Sequence, residues 1–241
     1  LHPNSNRWGI ELNGCPEDIE AWRTFLKPPF DPFVEEVEHQ SGNYLALRSS
    51  VFDGMKTSQE VHRAAKDLLD VLNVVMLTNA DTHPIASGAV IESVADGPPL
   101  KHHHLEVTEL VAARSHIYAV VTTAHDLSGN VIKPPTAPSQ SQIWMQAAAL
   151  EPNIGSALRY LKNKPGWVEL YKAYEAVRHL PHGGIAKSEI SRFTQTANAG
   201  NRHHPNNTHP PPAHPMELWE ARTLITRWIS AAIKSVSSKH C

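Results

Sequence analysis

Apolar residues recur along this chain in two rhythms: every second position through much of the first half, every third or fourth through the second. Alternation is the mark of a strand with one buried face, and a three-to-four spacing is the mark of an amphipathic helix. Trp8 to Leu12 reads as a short strand. Pro16 then opens a helix with Ile19, Trp22 and Leu26 on one face, stopped by Pro28-Pro29. Val34 to Glu38 and Tyr44 to Arg48 read as a hairpin around Ser41-Gly42-Asn43. Thr57-Ser58-Gln59-Glu60 is a capping box, and Val61, Ala65, Leu68, Leu72 and Val75 continue it as a buried stripe. Further strands are predicted from Ile85 to Val94, Leu105 to Val111 and His116 to Thr123, before a turn at Asp126 to Asn130. Most connections are too short for a crossover helix, so antiparallel pairing is expected.

The rhythm changes at Lys133-Pro134-Pro135-Thr136-Ala137-Pro138, a segment that resists both helix and ladder. Beyond it, Ser139 and Gln142 form a capping pattern ahead of Ile143, Ala147 and Leu150. Asn153 is the expected cap of a short helix through Ala157, Leu158 and Leu161. Trp167, Leu170, Tyr171, Tyr174 and Val177 form the next stripe. Ser188 is the expected cap of a piece through Ile190 and Phe193, and Pro215 introduces a last helix carrying Leu218, Arg222, Ile225, Trp228, Ile229 and Ile233. The fold class is therefore α+β: a mixed, mainly antiparallel sheet with two helices over residues 1–133, then a helical bundle over 139–241.

Composition narrows the functions. A 41% hydrophobic content suits a globular core, and no window approaches the roughly 20 apolar residues that cross a bilayer, so a cytoplasmic protein with no membrane partner is expected. A net charge of −2 argues against a broad electrostatic grip on nucleic acid, so any such contact must be local. Cys15 and Cys241 supply neither a disulfide framework nor a CxxC motif. Gly-rich phosphate loops, G-x-S-x-G elbows and Cys/His nucleophile patterns are absent.

Candidate chemistry concentrates between the last two helices, where Arg202, His203, His204, His209 and His214 crowd a Pro/Asn-rich loop. An arginine beside imidazoles suits a phosphate-handling site, because one supplies a fixed planar donor fork and the other moves protons near neutral pH. His203, His204, His209 and His214 are also enough donors for a tetrahedral metal shell, although their spacing matches no established finger. A solvated linker is the third reading. Pro205 and Pro210 keep His209 off any helical turn shared with Arg202.

An arginine, a polar residue after it and a histidine six residues further on, set between helices of a bundle, resemble the Arg-x(4–6)-His motif of HEPN domains. The resemblance covers about Ser139 to Lys239. It implies an RNA-binding or metal-independent RNA-cleaving domain that requires no cofactor and acts as a homodimer. By that resemblance Arg202 clamps the scissile phosphate, His209 transfers the proton and His203 orients either partner. The rival reading is a non-enzymatic protein-interaction or ligand-sensing module with a dimerising bundle.

Other features are better explained by the fold. Consecutive imidazoles at His102-His103-His104 would alternate faces in a strand, so a polar edge or turn is expected. Trp144, Trp167 and Trp228 sit at core spacing. Glu35, Glu36 and Glu38 read as a solvated face, and Glu169 and Glu175 as surface partners of Lys172 and Arg178.

Overall fold

A computed structural model describes residues 7–38, 42–94, 97–104, 135–201 and 212–240 of the chain. The chain divides into two compact units, Leu1–Ile143 and Trp144–Cys241. The class is α+β: the first unit carries a five-stranded antiparallel sheet and the C-terminal region is helical.

In the first unit the described elements are β1 (Trp8–Asn13), α1 (Pro16–Phe25), β2 (Phe33–Val37), β3 (Tyr44–Arg48), α2 (Ser58–Ala80), β4 (Ala86–Glu92) and β5 (Leu100–His102). The sheet order is β2-β3-β1-β4-β5. Ile10 faces Leu47 on one side and Val90 on the other, and alternation puts Trp8, Leu12 and Val34 on the same face; all six are buried. The expected α2 stripe is buried along its length, and its capping box forms as anticipated: Glu60 N–H donates to Thr57 Oγ1 while the Glu60 carboxylate accepts from the Thr57 amide. Asn73 ties α2 to the start of β4, donating to the Ile85 carbonyl at 2.9 Å and accepting from its amide at 2.7 Å.

The opposite face of the sheet holds a smaller cluster of Ala46, Ala89 and Ile91, flanked by Val37 and Tyr44. Arg48 is 3% exposed on this face, held by Glu35 Oε1 at 2.7 Å and Ser93 Oγ at 2.9 Å. Gly9 makes room for it: a Cβ there would lie 3.0 Å from Arg48 Cδ and Nη1. Glu35 is thus the counter-ion of a buried guanidinium, not one of a set of freely solvated carboxylates as its alternating position suggests.

The hairpin registers Val34 with Leu47 and Glu36 with Leu45, as expected; its tip at 39–41 lies outside the described residues. The predicted strands Leu105 to Val111 and His116 to Thr123, and the turn after them, also lie outside. Strand β5 is one edge of the described sheet, so His102 closes a strand at a polar edge, where it meets Glu92 Oε2 at 2.9 Å.

The helical region comprises α3 (Gln140–Leu150), α4 (Pro152–Tyr160), α5 (Trp167–Val177), α6 (Lys187–Thr196) and α7 (Leu218–His240). Ser139 and Gln142 cap α3 reciprocally, as the sequence suggests. Gln142 does more: at 1% exposure its amide nitrogen reaches the carbonyls of Lys27, Phe30 and Pro32 at 2.8 to 3.0 Å, fastening the α1–β2 loop.

Two capping assignments change. Glu151, not Asn153, caps α4; Pro152 takes the first helical position and Asn153 is the donor. The start of α6 is Ala186, whose amide is satisfied by Glu189, so Ser188 lies inside the helix. Glu169 also reaches back to the Gly166 amide at 3.0 Å, a capping role in α5 beside its expected place on the surface. In the second unit α5 packs on α4 and α7. Phe193 is fully buried beneath the rings of Trp167, Tyr171 and Tyr174, and Trp228 meets Tyr174 edge-on.

Candidate functional site

Arg202, His203, His204 and His209 lie outside the described residues; their two flanks do not. Residues 197–201 continue α6 as a single π-helical turn, and the chain is described again from Pro212. The segment from there to α7 is fastened to α6 at three residues. Arg192 Nε donates to the His214 carbonyl at 2.9 Å and its Nη2 to the Pro215 carbonyl at 3.0 Å. One turn on, the buried Thr196 hydroxyl accepts the Met216 amide at 2.9 Å. Arg192 also makes a two-pronged pair with Glu220 in the first turn of α7, at 3.1 and 2.8 Å.

Each anchor has a local cause. Four amides at the start of a helix lack internal partners, and Glu220 satisfies that of Glu217 at 2.8 Å while holding Arg192. The Glu217 amide, and after it the Arg192 guanidinium, hold the Glu220 carboxyl below the usual carboxylate range. Thr196 donates its proton back to the Arg192 carbonyl at 2.8 Å, which leaves its oxygen lone pair aimed at the Met216 amide. The described chain on the C-terminal side of residues 202–211, at His214, Pro215 and Met216, is thus fastened to the same helix, α6, that ends on their N-terminal side. His214, counted among the metal donors by sequence, is exposed, and its carbonyl is committed to Arg192. Among the described residues no group of three or more His, Cys, Asp or Glu side chains is placed to hold a metal ion.

Elsewhere, two histidine–carboxylate pairs emerge that the sequence did not reveal. Asp18, buried at 3% in the first turn of α1, accepts from the His83 amide and lies 3.1 Å from His83 Nδ1. Such an orientation of imidazole by carboxylate is half of a nucleophile-activating set. The nearby thiol does not complete it: Cys15 donates to Glu17 at 2.6 Å, and that hydrogen bond raises its pKa and disfavours the thiolate. The second pair is His102 with Glu92, whose carboxyl is lowered first by Arg7 and then by His102.

Trp144 and Trp228 are core, at 6% and 2% exposure, as their spacing implies; Trp167 is partly buried against Phe193. Trp219 departs from its surroundings at 67% exposure in the first turn of α7. The signal was present in the sequence: the buried stripe of α7 runs through Ala221, Leu224, Ile225, Trp228 and Ile229, and Trp219 lies off it.

Comparison of the chain with protein-family models, with curated proteins and with solved structures gives no match. No helix among the described residues is long and apolar enough to cross a membrane.

Proposed function

We propose that the helical unit is an RNA-binding, HEPN-like domain that cleaves bound RNA without a metal ion, in the cytoplasm and as a homodimer. The observation that supports this reading is that the described residues His214, Pro215 and Met216 are fastened to α6 through Arg192 and Thr196. In this proposal, with both flanks tied to one helix, Arg202 and His209 meet over a short chain separation, which lowers the entropy cost of bringing them to one phosphate.

In this mechanism His209 accepts the proton of the RNA 2′-hydroxyl, the 2′-oxygen attacks phosphorus, and the bond to the 5′-oxygen breaks. The products are a 2′,3′-cyclic phosphate and a 5′-hydroxyl, the latter protonated from water. Arg202 holds the phosphate oxygens where negative charge grows, and His203 orients the pair. Purified full chain incubated with mixed-sequence RNA in EDTA tests the proposal. Cleavage should occur, and Arg202→Ala or His209→Ala should slow it by about a hundredfold or more. Intact RNA with unaltered binding in both variants overturns it; cleavage that EDTA abolishes points to the metal reading.

A further inference from the structure

The end of the helical unit beside α7 carries aromatic and basic side chains that the loop chemistry does not use. Tyr160 ends α4, and the connection after it contains Lys162 and Lys164, both exposed, with no acidic residue between Tyr160 and Pro165. Arg222 brings that connection against α7, donating to the Pro165 carbonyl at 2.9 Å and to the Lys164 carbonyl at 3.2 Å. Trp219 stands three residues before Arg222, so the two neighbour one another on the helix surface. Tyr160 is 36% exposed and Trp219 67%. Lys172 adds a further cation, with Nζ 5.7 Å from the Tyr160 ring centroid.

Residues Asn163 and Lys164 both hold positive φ, 59° and 56°. A lysine pays for that conformation where asparagine pays less, and Arg222 pins the carbonyl that defines it. The backbone that carries the lysine is thereby held against Arg222, three residues along α7 from the indole.

Flat aromatic faces between cations are what single-stranded nucleic acid requires: bases stack on the rings while the cations follow the phosphates. We infer that Trp219 and Tyr160, with Lys162, Lys164 and Arg222, form a stacking platform for unpaired RNA bases, which rests on the RNA reading of Arg202 and His209. A duplex presents no free base face and gains little here. A net charge of −2 over the whole chain makes such a local patch, not overall charge, the source of affinity.

The test is fluorescence anisotropy of a labelled single-stranded oligouridine with full-length protein, compared across wild type, Trp219→Ala, Trp219→Phe, the Lys162→Gln/Lys164→Asn double variant and Arg202→Ala. Asparagine is chosen at 164 because it tolerates the left-handed backbone. Trp219→Ala should weaken binding about fivefold or more, the loss of one stacked base, and Trp219→Phe should restore part of it. The lysine variant should weaken binding and flatten its salt dependence. If Trp219→Ala binds as wild type while Arg202→Ala does not, the platform is wrong and the loop reading stands. If wild type binds no RNA, both fall. A Trp219→Ala protein that binds RNA normally but changes from dimer to monomer by light scattering assigns the indole to a subunit contact and overturns the platform.

Discussion

The Met216 amide donates to the Thr196 hydroxyl 2.9 Å away, joining the approach to α7 to the last turn of α6. Both residues are buried, so the bond has no water to replace it. Thr196→Val keeps the shape of the side chain and strands the Met216 amide. We expect a loss of about 1–3 kcal/mol in urea unfolding, faster hydrogen exchange at Met216, and weaker RNA cleavage with the fold retained.

Arg48 and Glu35 should respond unequally to mutation. Glu35→Ala takes a carboxylate away from a guanidinium that is 3% exposed, whereas Arg48→Met leaves a carboxylate that still reaches water, its side chain being 38% exposed. The first should cost more, on the order of 3 kcal/mol, in chemical denaturation. Equal losses would show that the pair contributes mainly through packing.

Gln142 combines donor and acceptor roles that only an amide can fill. Gln142→Glu replaces a donor to three carbonyls with a further acceptor, while the Ser139 amide keeps its partner. The glutamate variant is expected to be the less stable of Gln142→Glu and Gln142→Ala at neutral pH, and to recover part of the difference on acidification as the new carboxyl gains a proton.

Glu92 supplies a pH signature. Its carboxyl is held below the ordinary value of 4.5 by Arg7 and His102, so folding favours the ionised form. The stabilisation is present above the unfolded pKa and is lost as pH falls through the lower folded one. A thermal-melting series should therefore show wild type and Glu92→Gln separated near neutrality and converging below pH 4.5.

What was legible in the sequence followed from periodicity and from caps whose partners lie three residues apart. The α2 stripe and the Thr57–Glu60 box are local, and they appear as read. The roles of Asp18 and Arg48, and the second role of Gln142, escape the sequence because the partners lie far along the chain: His83, Ser93 and the Lys27–Pro32 loop. Asn153 and Ser188 carried cap-forming side chains in helix-starting sequences, but Pro152 and Glu189 set each start earlier. The Arg/His crowding that drew attention to residues 202–214 said nothing of Arg192 or Thr196, because each lies within α6 at a position where its residue type is ordinary.

The most direct measurement of the central claim is cleavage in EDTA of two otherwise identical single-stranded RNAs, one carrying a single 2′-deoxy substitution at a mapped cut site. Attack by the 2′-hydroxyl requires that the all-ribose strand be cut there to a 2′,3′-cyclic phosphate end, that the substituted strand survive at that position, and that His209→Ala cut neither. Equal cleavage of both strands by the wild type, or of neither, contradicts the account.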